Sequence, residues 1–359
     1  MPEPAALLPK LIARIAALQA TGDAHYLPGL FPSQRRSHAL GLCREDSNGF
    51  FTALTVFTLQ DISARLPPAT QALVATMAER ARTTYPHYRS RDEQPTYNYY
   101  QTRPRNHFPN GRLLRRFRQF APPDDVDCTV LIYLTDPSPA HNPAWLHRKL
   151  QAHANTVAGW ARTGPAAFRQ RKVYSTWFGK YMPIDFDVST LANALLWAMR
   201  SQLPLNEFDT DSLALIDWAI TSGAYRRDPL GVSPYYATAP LVAYHIGRLA
   251  AEAPPLGAAR AALLREVPAL LATSPHFMDK LLLASTLLRL GASPAPLFGA
   301  NCTLEEIEQR SRGLDFCLVP LFNHPHTRWL AGWRPSHLAW ECPAHSLALV
   351  AEYLALGGQ

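Results

Sequence analysis

The chain has 359 residues, 47% of them hydrophobic and only 18% charged, with a formal net charge of +7. That is apolar material for one large domain or two ordinary ones, and much of it must be core. No apolar run reaches the ~18 to 20 residues of a membrane span, and five scattered cysteines without a CxxC pair exclude a disulfide framework.

Residues 4–20 carry Leu7, Leu8, Leu11, Ile12, Ile15 and Leu18 at helical spacing, and Lys10 with Arg14 interrupts any signal-peptide core. A polar, Arg-rich connection follows to Glu45. Asp46-Ser47-Asn48-Gly49 is then a helix start signal ahead of Phe50 to Phe57, apolar nearly all round and so buried on most sides. After Pro67-Pro68 comes an amphipathic run, Ala69 to Thr83.

The alternation continues to the end of the chain. Buried-type helices are expected from Asp124 to Leu134, over Leu191 to Met199 (opened by Asp185 to Thr190), from Ser233 to Leu249, over Phe277 to Leu290 and over His345 to Leu356. Their amphipathic partners are Pro143 to Ala158, Thr210 to Ile220, Leu256 to Ala272 and Thr303 to Arg312. Ser274-Pro275-His276 opens the fifth buried helix, and Ser336 or Pro343 opens the last. Strand signals are almost absent. Thirty-two prolines suit the connections and argue against a coiled coil. The predicted fold is therefore all-α, an α/α toroid of about six inner and six outer helices. It spans 1–359 as a single domain, with helix 4–20 on the outer ring. Inner helices running in one direction would gather Asp46, Asp124, Asp125, Asp127, Asp185, Asp187, Ser233, Ser274 and Ser336 around one mouth.

Within that mouth, Asp124-Asp125-Val126-Asp127 stands out behind Pro122-Pro123. One carboxylate suffices to cap a helix, so three in four residues need a further reason. Crowded carboxyls raise one another's pKa, whereas a helix N-terminus favours the ionised form. Asp185-Phe186-Asp187, followed by Asn193, repeats the pattern. It could supply the second carboxylate of a glycosidase-like pair, or hold Mg²⁺ with a diphosphate; the plain alternative is a second cap. Before the acids, Tyr97, Asn98, Tyr99, Tyr100 and Arg103 sit in a long irregular loop with His107 and Asn110. Tyr174, Trp177, Tyr181, Tyr235, Tyr236, Trp333 and Trp340 add aromatics near other helix starts. Aromatic faces stabilise cations and stack on sugars, and any single one is also ordinary core material.

Asp125-Val126-Asp127-Cys128-Thr129 resembles the acid motif of class II terpenoid cyclases, the squalene–hopene and oxidosqualene cyclase group, written D-x-D-D-T or x-x-D-C-T. The resemblance implies a toroid fold. It also implies an enzyme that starts cyclisation of an isoprenoid chain by protonating an alkene or epoxide, with Asp127 as donor and Asp125 and Asp124 beside it. Tyr97, Asn98, Tyr99, Tyr100, Arg103, Trp177, Asp185, Asp187, Asn193, Tyr235, Tyr236 and Trp340 would line the substrate cavity. The repeated Gln-to-Trp motifs and second toroid domain of the triterpene cyclases are absent. Asp315-Phe316-Cys317, with His324, His326, His337 and His345 downstream, is similar to the zinc set of protein prenyltransferase β-subunits, also toroids, but the surrounding residues differ. No cofactor or metal is therefore expected.

Two alternatives stand beside the cyclase reading: a toroid acting on saccharides through paired carboxylates, and a non-catalytic toroid binding a peptide or lipid. Arginines cluster at Arg35-Arg36, Arg103-Pro104-Arg105, Arg112 to Arg118 and Arg169 to Lys172. They form either a solvated face or a surface for an anionic partner, a phosphate-bearing substrate or an acidic lipid. Specific nucleic-acid binding is not expected, for no helix-turn-helix, zinc-finger or RNP-like signature occurs. The expected setting is cytoplasmic, with peripheral membrane contact through the basic face.

Overall fold

The computed structural model describes residues 4–358 apart from 112, 114–116, 118–122, 163, 180–181, 300, 321–329 and 331. Pro122, Tyr181, His324, His326 and most of the basic run 112–118 thus lie outside the described residues. The first part of the chain forms α1 (Pro4–Ala17), β1 (Ser33–Ser37), β2 (Leu42–Asp46), α2 (Phe50–Asp61), α3 (Pro68–Arg82), β3 (Tyr97–Asn98) and β4 (Asp124–Asp125). The middle forms α4 (Val126–Thr135), α5 (Pro143–Ala152), α6 (Val188–Arg200), α7 (Glu207–Thr221), α8 (Ala224–Arg227) and α9 (Pro229–Val232). Then come α10 (Ala239–Ala250), α11 (Gly257–Thr273), α12 (Phe277–Arg289), α13 (Leu304–Arg310), β5 (Cys317–Pro320), β6 (His337–Glu341) and α14 (Pro343–Gly357).

Burial follows the sequence pattern. Phe50 to Leu59 of α2 and Val126 to Tyr133 of α4 are buried without a break, because neither helix has a polar face to turn outward. By contrast α3 buries one stripe, Thr70, Val74, Met77, Ala78 and Ala81. The fully buried helices are mutual neighbours in sequence: α2 packs on α4, α4 on α6, α6 on α10, α10 on α12, α12 on α14, and α14 returns to α2. Of the amphipathic helices, α1 covers α14 and α3, α7 covers α6 and α11, and α11 covers α10 and α12.

The C-terminal ends of these buried helices are tied by charge. Arg200 on α6 donates to Asp61 of α2 (2.6 Å) and pairs with Glu252; Arg289 on α12 donates to Asp61 (2.5 Å) and Glu352 of α14 (2.6 Å). The opposite ends carry the acids.

The all-α expectation is corrected. A four-stranded antiparallel sheet, order β2-β1-β6-β5, joins the segment after α1 to the segment before α14, with Arg35 opposite Trp340 and Cys317 on Trp340's other side. A second ribbon pairs β3 with β4, Tyr97 opposite Asp125. β1 to β4 are short and mostly polar, and outside the β1–β2 hairpin the paired strands are joined by long connections, so no local alternation marks them. Several boundaries also move. The amphipathic stretch expected to reach Ala158 stops at Ala152, since Asn155 holds the following loop by donating to the carbonyls of Arg169 and Arg171. Residues 233–236 form a turn ahead of α10, which Thr238 caps. Ser336 lies in a turn before β6, and α14 starts at Pro343. The short helices α8 and α9 carry no sequence signal of their own. Among the described residues no helix is long and apolar enough to cross a membrane.

Candidate functional site

The three neighbouring carboxylates do three different things. Asp124 stays at the rim, accepting from Thr96 Oγ1 (2.6 Å) and Asn98 Nδ2 (3.0 Å) across the β3–β4 ribbon. Asp125 caps α4, its Oδ1 accepting from the Cys128 N–H at 2.6 Å. Its other oxygen, Oδ2, is buried and has no hydrogen-bond partner among the described residues. Burial, opposed by the Cys128 N–H and reinforced by the Asp127 and Asp124 charges, pushes the Asp125 carboxyl up to about 8. Asp127, in the first turn of α4, is saturated instead: it accepts from Asn193 Nδ2 (2.7 Å), the Tyr236 hydroxyl and Thr190 Oγ1 (3.4 Å). Burial raises its pKa as well, against those donors.

Asp187 caps α6 and collects four donors: the N–H groups of Ser189 (2.9 Å), Thr190 (3.0 Å) and Tyr235 (2.9 Å), and Ser233 Oγ (2.8 Å). Burial still lifts it to about 7. Thr190 therefore stands between two acids, giving its N–H to Asp187 and its hydroxyl to Asp127. Asp185 accepts from the Tyr235 hydroxyl (3.3 Å), which also receives the Trp177 indole N–H (3.3 Å), and the two rings meet edge to face. Deeper in, Asn193 Oδ1 accepts from Arg248 Nη2 at 2.5 Å. That guanidinium is fully buried and lies over the rings of Phe57 (4.7 Å) and Tyr244 (5.3 Å).

The expected residues thus divide. Asp125, Asp127, Asp185, Asp187, Asn193, Trp177, Tyr235 and Tyr236 form one connected group. Tyr99, Tyr100 and Trp340 form a second around Asp46: the Tyr100 hydroxyl donates to Asp46 Oδ2 at 3.0 Å, and Tyr99 packs edge-on against Tyr100 and Trp340. Tyr97 turns away, with its hydroxyl on His141 Nε2 (2.7 Å), and Asn98 serves Asp124. Arg103 is exposed and pairs with Glu93. Tyr174 donates to Asp209 on α7, Trp333 is 56% exposed, and Ser274 and Ser336 bond only nearby backbone carbonyls.

His245 and Arg248 were not singled out beforehand, and Phe316, Cys317 and His345 were named only for the zinc-like set. The Phe316 ring lies 4.5 Å from His345, 5.7 Å from His245 and 5.8 Å from Tyr236. Both His345 ring nitrogens lack hydrogen-bond partners among the described residues, and burial, followed by the Arg248 charge, pushes that imidazole down to about 3. The buried Cys317 thiol is held well above its usual range by burial and by the charges of Asp127 and Asp187. His245 and Arg248, three apart in an otherwise apolar helix, were the available signal. The zinc-like set is not brought together. Asp315 faces Arg36 (3.7 Å) and His38 (3.4 Å), whereas Cys317 faces the acids. Among the described residues no group of three or more His, Cys, Asp or Glu converges as a metal site would require.

No protein-family model, curated protein or solved structure matches this chain.

Proposed function

We propose that the chain is an α/α-toroid enzyme, similar to class II terpenoid cyclases, that protonates a carbon–carbon double bond of an apolar isoprenoid substrate. The closed neighbour order of six buried helices supports the toroid. The observation that carries the reaction is Asp125, a buried carboxyl pushed up to about 8 whose Oδ2 accepts no geometric hydrogen bond from the described residues, with the Cys128 thiol beside it. A proton donor to carbon must be protonated at rest and still give up its proton readily. Burial meets the first demand. The cap geometry meets the second, because the Cys128 N–H and the N-terminus of α4 receive the carboxylate left behind. The sequence motif suggests Asp127 as donor, but three donors already hold that carboxyl, so its fitting role is to position Tyr236 and Asn193. The proton moves from Asp125 Oδ2 to the alkene carbon, the aromatic faces of Trp177 and Tyr235 would stabilise the resulting cation, and loss of a proton from carbon or capture of water would discharge it.

Purified protein incubated with linear prenyl alcohols, prenyl diphosphates and squalene should yield a cyclised product of unchanged mass, or of mass increased by water. Asp125→Asn keeps the cap acceptor but not the proton, so turnover should fall at least ~10²-fold with the fold intact. Full activity in that variant would remove Asp125 from the donor role. A second reading rests on Thr190, which links Asp127 and Asp187 as a carboxyl pair. Hydrolysis of aryl glycosides in place of prenyl turnover would favour it.

A further inference from the structure

A cavity of about 480 Å³ opens between the loop before α6 and the α7–α9 segment, and its walls include Arg162, Arg169, Trp218, Arg227, Asp228 and Val232. Three guanidiniums here face one carboxylate. That carboxylate is already engaged, since Asp228 caps α9 by accepting from the Gly231 N–H at 2.9 Å. None of the three arginines has a carboxylate partner among the described residues. Arg169 Nη2 and Arg227 Nη1 donate to the carbonyls of Gly164 (3.3 Å) and Ser222 (2.7 Å), which fix the side chains without neutralising them. Their sequence neighbours are treated differently: Arg171 pairs with Asp211, Lys172 with Glu207 and Arg226 with Glu266. Like charges gathered around one concavity repel unless an anion fills it.

We propose that this cavity binds a phosphate ester, with Arg162, Arg169 and Arg227 around the phosphate and the organic part against the Trp218 indole. The guanidinium fork matches phosphate oxygens in pairs, which a single ammonium cannot do. Trp218 is half-buried and backed by Phe168 at 5.8 Å, so its ring is held in place. The cavity adjoins the acid group but is separate from it. Val232 precedes Ser233, the donor to Asp187, and Gly164 (φ +84°) takes a backbone form that brings it against Phe186, where an added Cβ would lie 2.9 Å from the ring.

Titration calorimetry with phenyl phosphate and inorganic phosphate tests this directly, alongside sedimentation with phosphatidic acid vesicles. Phenyl phosphate should bind more tightly than inorganic phosphate and change the tryptophan fluorescence, and Trp218→Phe should remove that change. Arg169→Gln or Arg227→Gln should each weaken binding about tenfold, because a charge-assisted hydrogen bond is lost at an exposed residue that the fold does not need. Arg226→Gln, whose cation already has Glu266, should leave affinity within about twofold. Binding to the vesicles alone, lost in the same two variants, would identify the ester as a lipid headgroup. No binding of any probe up to roughly 10 mM, or binding that survives both substitutions, would overturn the proposal.

Discussion

Asp125 and Asp187 give the protein a pH dependence opposite to that of most acidic residues. Their folded-state carboxyls, at about 8 and about 7, lie above the ordinary value of 3.8, so the folded chain holds these protons more tightly than the unfolded chain. Their contribution to stability is therefore full below about pH 4 and is lost as pH rises through about 7 to 8. The thermal midpoint of the native protein should fall between about pH 5 and about pH 9, and Asp125→Asn should flatten that fall, because Asn has no proton to lose. A slope unchanged by the substitution would mean that Asp125 is not the buried acid. Turnover should fall over the same interval if Asp125 is the donor. Part of this site was legible in the sequence. The density of Asp124, Asp125 and Asp127 announced that something beyond a cap was present. Which of them would be saturated was not legible, because the donors Asn193 of α6 and Tyr236 of the turn before α10 are brought near only by the tertiary fold.

At the scale of elements, helix pattern carried the reading well. Uninterrupted apolar runs became the buried helices, striped runs became their covers, and Asp or Asn side chains stood at the starts of α4, α6 and α7. Polar strands such as Ser33–Ser37 escaped notice, since Ser-Gln-Arg-Arg-Ser has no apolar alternation and its second partner, β6, comes from far along the chain. Helix contacts also show where the chain demands a small residue. Gly247 in α10 faces α12 so closely that an added Cβ would lie 2.5 Å from Thr286 Cγ2, and that threonine is fixed by its bond to the Leu282 carbonyl. Helix propensity favours alanine by about 1 kcal/mol, but overpacking costs about 1–3 kcal/mol, so Gly247→Ala should destabilise by about 1 kcal/mol. Urea unfolding of the two proteins checks this, and an alanine variant more stable than the native chain would show that α10 and α12 can separate at little cost.

For the whole molecule, the buried ion cluster at the C-terminal ends of the buried helices matters most. Arg289 is 10% exposed and joins α12 to Asp61 of α2 and Glu352 of α14. Arg289→Met would leave the fully buried Glu352 without its cation, holding only the Tyr244 hydroxyl (2.6 Å) among the described residues, and should cost about 3–5 kcal/mol by chemical denaturation. A loss below about 1 kcal/mol would mean that the cluster contributes little net stability. The sheet has a different consequence, one of timing. β1 precedes α2 to α12 in the chain and β6 follows them, so the strand that shields Tyr99 and Tyr100 with Trp340 is made after all of those helices. Helices α4 to α12 can pair as they are made, but closing so long a chain segment is entropically slow. During synthesis the β1–β2 hairpin therefore waits with one edge open, and the aromatic wall around Asp46 is assembled only once β6 has been made.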